Sequence, residues 1–124
     1  MAIDTSKLQA TLHRFVNGTH DVEGAALITL DGLPIVSVLP NDMDEDQVAA
    51  MTAALMSLAE RIGLELIRGP MGKIDLAGEN GYCMVSGCGE DVLLLVLAAP
   101  TGKQGVLNLE LKRAVSELKP LLES

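Results

Sequence analysis

The chain predicts an α+β domain built on a five-stranded, mostly antiparallel sheet, and three observations carry that reading. Apolar residues recur at helical spacing near the start, in the middle and at the end of the chain. Five short apolar runs lie between these segments. The connections within the first pair and within the last three runs are too short for crossovers, so those neighbours must turn back on themselves. The order is helix, two strands, helix, three strands, helix.

Each element has its own signals. Ser6 with Gln9 reads as a capping box, followed by Leu8, Leu12, Phe15 and Val16 on one helical face, and Asn17-Gly18 ends that helix. "GAALITL" and "LPIVSVLP" flank Asp31-Gly32, a strong hairpin signal, and Pro34 assigns the second run to a sheet edge because it cannot donate to a ladder. Asp42 and Glu45 are placed to cap the long middle helix, which Gly69-Pro70 terminates. Three strands follow, "GKIDLA", "GYCMVSG" and "DVLLLVLA", separated by "GEN" and "CGE" turns. From Lys103 a last helix presents Leu107, Leu111, Val115, Leu118 and Leu122 to the core.

Composition excludes several classes of function. With 48% hydrophobic residues the chain can form a packed core, and 124 residues suit one domain, 1–124, without repeats or linkers. Net charge is −8, with nine basic residues, one Phe and one Tyr. Nucleic-acid binding needs a basic stripe or stacking rings, so no nucleic-acid partner is expected, nor an anionic membrane surface. "VLLLVLAA" is too short to span a bilayer, so no membrane insertion is expected. "MAIDTSKLQ" lacks the basic-then-apolar order of a signal peptide, and two cysteines do not make a secreted disulfide scaffold. The expected location is cytoplasmic.

The middle helix poses the central question. From Val48 to Ala59 nothing is more polar than Thr52 and Ser57, although a surface helix needs one wet face. At about 100° per residue, Val48, Met51, Leu55, Leu58, Ala59, Ile62 and Leu66 cluster on the face expected to meet the sheet. The opposite side carries Asp46, Ala50, Ala53, Ser57, Glu60 and Leu64, flanked by Ala49, Ala54 and Met56, with Arg61 nearby. Its middle is small and apolar, which admits a second backbone closely, and a chain this short has no spare layer to cover it. A protein partner is therefore expected there, most simply a symmetry mate.

The element order, "GAALITLDGLPIVS", "GENGYCMV" and "GVLNLELKRAVSEL" resemble the roadblock family, related to the longin fold, over about Leu8 to Leu122. The resemblance implies a sheet with the long helix on one face and both terminal helices on the other. It implies homodimers or heterodimers that pair the long helices, here through Ala49, Ala50, Ala53, Ala54, Met56, Ser57, Glu60, Arg61 and Leu64. The third strand, Lys73, Ile74, Asp75, Leu76 and Ala77, would extend the sheet into the partner. It further implies a non-catalytic regulator or scaffold of a Ras-like small GTPase, with no cofactor. A second class of function, small-molecule sensing, would need polar groups converging in an apolar pocket; only Ser37, Tyr82 and Ser86 qualify.

The chemical motifs fail. Asp42, Asp44 and Asp46 resemble the start of a calcium loop, but Gln47 and Ala53 occupy the positions that need Gly and Glu. Gly72-Lys73 and Gly102-Lys103 are not phosphate loops, because Ile67 and Leu97 replace the first glycine and Ile74 and Gln104 replace Ser/Thr. Extended chain separates Cys83 from Cys88 by about 16 Å, too far for a disulfide. His13 and His20 lie far upstream, so no metal is expected, and neither histidine has a nucleophile beside it. The "NGT" at Asn17 would be glycosylated only in a secretory compartment.

Overall fold

The structure, a computed structural model, describes residues 3–123. Its elements are α1 (Thr5–Gly18), β1 (Val22–Thr29), β2 (Pro34–Val38), α2 (Glu45–Glu65), β3 (Lys73–Gly78), β4 (Gly81–Gly87), β5 (Val92–Ala98) and α3 (Gln104–Leu122). The five strands form one antiparallel sheet in the order β2-β1-β5-β4-β3. This is the α+β architecture expected.

Strand alternation divides the core into two layers. Ala25, Leu27, Met84, Leu94, Val96 and Ala98 face one way and pack with Leu8, Leu12 and Phe15 of α1 and Leu107, Leu111 and Leu118 of α3. Ala26, Ile28, Val85, Leu93 and Leu95 face the other way and receive Ala49 and Met56 of α2. The long helix thus has one face of the sheet to itself. It lies over β1 and β2, however, and makes no comparable cover for β3 and β4.

Both edges are as the sequence implies in kind. β2 begins at Pro34, which can sit there because an edge strand needs no second ladder. Gly32, at φ +90, turns the first hairpin, and Leu33 N–H donates to Thr29 Oγ1 at 3.1 Å.

The caps differ from the expected ones. Asp4, not Ser6, caps α1, accepting from the N–H groups of Ser6 and Lys7. The side chain of Gln9 reaches across to Ser37 O instead. Asp44, not Asp42, caps α2, accepting from Asp46 and Gln47. In each run of polar residues the sequence offered several capping acceptors, and in both the aspartate four residues before the first apolar one of the helix took the place. In α3 the buried positions include Ala114, while Val115 and Leu122 are only half-buried.

Candidate partner interface

The phase of α2 is rotated from the expected one by roughly a quarter turn. The buried stripe is Ala49, Thr52, Met56 and Gly63, with Val48, Ala53, Leu55 and Ala59 half-buried at its margins. Met51, Leu58, Ile62 and Leu66, expected in the core, are 58%, 56%, 45% and 63% exposed. Ala49 and Met56, expected to meet a partner, are 1% and 5% exposed and belong to the chain's own core. Both expectations are corrected.

The reason is close approach. A Cβ on Gly63 would lie 2.3 Å from Gly69 O and 2.6 Å from Met71 Cε, so only glycine fits there. Thr52 sits in the core because its hydroxyl donates to Val48 O at 2.8 Å, leaving its methyl to pack. Apart from Met56, small and nominally polar residues thus line the buried stripe, while Met51, Leu58 and Ile62 stay largely outside.

The other nominated residues scatter. Ala50, Ser57 and Leu64 are exposed on one flank, beside the Gly32 turn, which packs close to Ala50 and Ala53. Glu60 accepts from Met71 N–H at 2.9 Å and so braces the loop after the helix. Ala54 and Arg61 border the exposed apolar stripe, and Arg61 Nε donates to Glu65 Oε1 at 3.2 Å.

Met51, Leu55, Leu58 and Ile62 recur at the 4-3-4 spacing of a helix-pairing seam. Beside that seam lies a groove of about 380 Å³, walled by Val48, Met51 and Leu55 on the helix and Leu76, Cys83, Val85, Leu95 and Leu97 on the sheet. The uncovered half of the sheet is its floor. β3 closes this side as a free edge, with Leu76 45% exposed and Lys73, Ile74, Asp75 and Ala77 along it.

At its far end, α2 stops in a six-to-one bond from Arg68 N–H to Gly63 O, 2.7 Å, with Ile67 N–H donating to Leu64 O. The residue that takes the left-handed angle there is Ile67, at φ +56, where glycine is usual. It is 85% exposed, next to Leu64 at 79%.

No polar constellation accompanies the groove. Ser37 donates to Glu45 Oε2 and Ser86 to Gly87 O, while Tyr82 packs toward the α1–α3 layer, so the three do not converge on it. Cys83 opens onto the α2 side and Cys88 is buried in the opposite layer, with the sheet between them. Burial pushes the Cys88 thiol up to about 11 and raises that of Cys83. Among the described residues no three His, Cys, Asp or Glu side chains gather as a metal site. His13 lies beside Asn17 and the exposed His20 beside Asp21. No helix of the described residues is long and apolar enough to cross a membrane.

Comparison with known proteins places this geometry. The family model for the Roadblock/LC7 domain matches residues 8–98. Two uncharacterized proteins of Methanocaldococcus jannaschii are each 30% identical over 106 residues, 86% of this chain and 92% of theirs. Among solved structures, a Roadblock/LC7 domain from Streptomyces avermitilis superposes with a TM-score of 0.85 at 23% identity, covering 94% of this chain and 98% of that one. Myxococcus xanthus MglB gives 0.87 at 20% identity, covering 99% and 92%.

Proposed function

This chain belongs to the Roadblock/LC7 domain family, and on that premise we propose that it is a non-catalytic, homodimeric regulator or scaffold of a Ras-like small GTPase. One observation supports the reading above the rest: the long helix withholds its larger apolar stripe from its own core. Met51, Leu58 and Ile62 stand in water above an apolar groove, and burying such side chains is worth about 1.5–3 kcal/mol apiece when complete. A second α2, laid alongside the first, fills the groove and shields the stripe at once. The same two-fold brings β3 against its counterpart, so Lys73 to Ala77 continue the sheet and remove an edge. The seam is then formed by Met51, Leu55, Leu58 and Ile62, bordered by Ala54 and Arg61.

The dimer leaves a broad, rigid upper surface, and a GTPase docked across the helix pair would meet Ala50, Ser57 and Leu64 on its flanks. On this reading the regulator acts by shape, holding the GTPase's mobile segments in one arrangement. The cytoplasm is where such a client resides. The test is binding of the source organism's Ras-like GTPases, loaded with GDP or with a non-hydrolysable GTP analogue, to the purified protein. State-dependent binding by one of them is the expected result; no binding in either state, across all of them, overturns the regulator reading.

A further inference from the structure

Asp75 is incompletely satisfied in a single copy. Its Oδ2 lies 3.1 Å from Lys73 Nζ and accepts from Gln104 Nε2 at 3.3 Å, and Lys73 Nζ also donates to Asn108 Oδ1 at 2.7 Å. Oδ1 is buried with no hydrogen-bond partner, the one such side-chain atom among the described residues. A carboxylate offers acceptor sites on both oxygens, and a buried one left unmet carries a desolvation penalty.

The position of Asp75 says which residues of a second copy can come near its carboxylate. Gly87 N–H donates to Gly72 O, and a two-residue turn joins Gly78 to its partner Gly81. The even-numbered residues of β3 therefore turn their backbone groups toward β4. Lys73, Asp75 and Ala77 turn theirs outward, to the free edge. A two-fold that sets both α2 stripes on one face must run perpendicular to the sheet. Facing residues across the seam then share a face, so Lys73 and Asp75 can meet only odd-numbered residues of the second strand. With Ile74 on the axis, Lys73 stands directly opposite the partner's Asp75; with Asp75 on the axis the two are diagonal and still within a lysine's reach.

We propose that Lys73 and Asp75 join the same two residues of a second copy in a four-charge cluster across the seam. Each Lys73 pairs with the outward side of the partner's Asp75 carboxylate, whose side chain is 22% exposed, and the cluster sets which chain is accepted as partner. The inference rests on the sheet-extended dimer proposed above. It deepens that reading from how the copies meet to how they recognise each other, because a chain of the same fold with like charges at both positions would exchange one of the two attractive pairs for a repulsive one.

Charge reversal tests it. Lys73→Glu makes both positions acidic and Asp75→Lys makes both basic. Thermal melts followed by circular dichroism establish that each variant folds. Alone, each should dimerise about tenfold or more weakly than the wild type. Mixed in equal amounts, the two should form a heterodimer of near wild-type affinity. Both variants have lost the pair within their own chain, so only contact between chains explains such a rescue. In the wild type, carbodiimide coupling should yield a covalent dimer whose isopeptide joins Lys73 to Asp75 of the other chain. A mixture as weak as either variant, or a coupling confined to single chains, overturns the charge cluster while leaving the dimer standing. A monomeric wild type in sedimentation overturns the dimer itself.

Discussion

Truncating Leu58 should separate the dimer from the fold. Leu58 is 56% exposed in the single chain, so a partner that covers it removes about half of a leucine from water. Complete burial of leucine is worth about 1.5–3 kcal/mol, which leaves roughly 1–1.5 kcal/mol per copy, and a two-fold axis counts it twice. Leu58→Ala should therefore weaken the dimer by about 2–3 kcal/mol, or about 30- to 150-fold in dissociation constant. Alanine is the better helix former, so α2 should not fray. Met56→Ala makes the contrast, because Met56 is 5% exposed and belongs to the chain's own core. It should cost about 2–5 kcal/mol of stability in urea unfolding, whatever the oligomeric state. Ser57→Glu, on the flank first expected to meet a partner, should leave the dimer intact. Sedimentation equilibrium over a concentration series, paired with urea melts of dilute protein, reads all three. If wild type is a dimer that Leu58→Ala leaves unweakened while Ser57→Glu dissociates it, the seam lies on the small-residue face and the assignment is wrong.

The remaining expectations concern the cysteine, the helix end and the arginine. Cys88 is fully buried, and its thiol holds its proton to about 11 against 9.0 ordinarily, so the unfolded chain binds fewer protons between those values. Stability should fall as pH rises from about 9 to about 11, by on the order of 2 kcal/mol, and Cys88→Ala should lack that component of the slope in pH-dependent urea melts. Ile67→Gly should raise thermal stability by about 1 kcal/mol, since a β-branched residue is strained at φ +56 and this one is too exposed to lose much burial; an unchanged or lower melting temperature would refute the strain. Arg61, paired with the exposed Glu65, should act as a rim charge. Arg61→Ala should lower GTPase affinity by no more than about 1 kcal/mol, and any stimulation should survive at saturating regulator; its abolition with binding intact would point to a donated arginine instead.

Much of the architecture could be read from the sequence because its punctuation is local. Asp31-Gly32, "GEN" and "CGE" each fix a turn through their own backbone preferences, which sets three of the four strand pairings, while the β1–β5 pairing that joins them is non-local and has no turn to announce it. Pro34 marked an edge by its chemistry alone. The caps were legible in type and wrong by two residues, since Asp42, Asp44 and Ser6 are chemically equivalent until geometry chooses among them. Cys88 shows the opposite limit. Nothing in "SGCGE" distinguishes a thiol turned into the α1–α3 layer from one left in the turn, because that depends on which way the chain leaves β4.

The misreading of α2 has a physical origin that bears on function. A periodicity argument assigns the bulkiest apolar stripe to the core, which is right when the core is the only dry place a helix will visit. In α2 the loop that follows the helix comes close enough to require Gly63, and Thr52 wins a buried place by satisfying its own hydroxyl within the helix. Met51, Leu58 and Ile62 are then surplus to the monomer. About half of each side chain is left in water as apolar area. A helix whose larger stripe is the exposed one is under two packing demands at once, one from its own sheet and one from a second copy. The tension between them explains why its apolar pattern runs nearly all the way round from Val48 to Ala59. Replacing the outer stripe with polar residues would give α2 an ordinary amphipathic pattern and a chain that folds alone, which is the state the Leu58→Ala experiment approaches one side chain at a time.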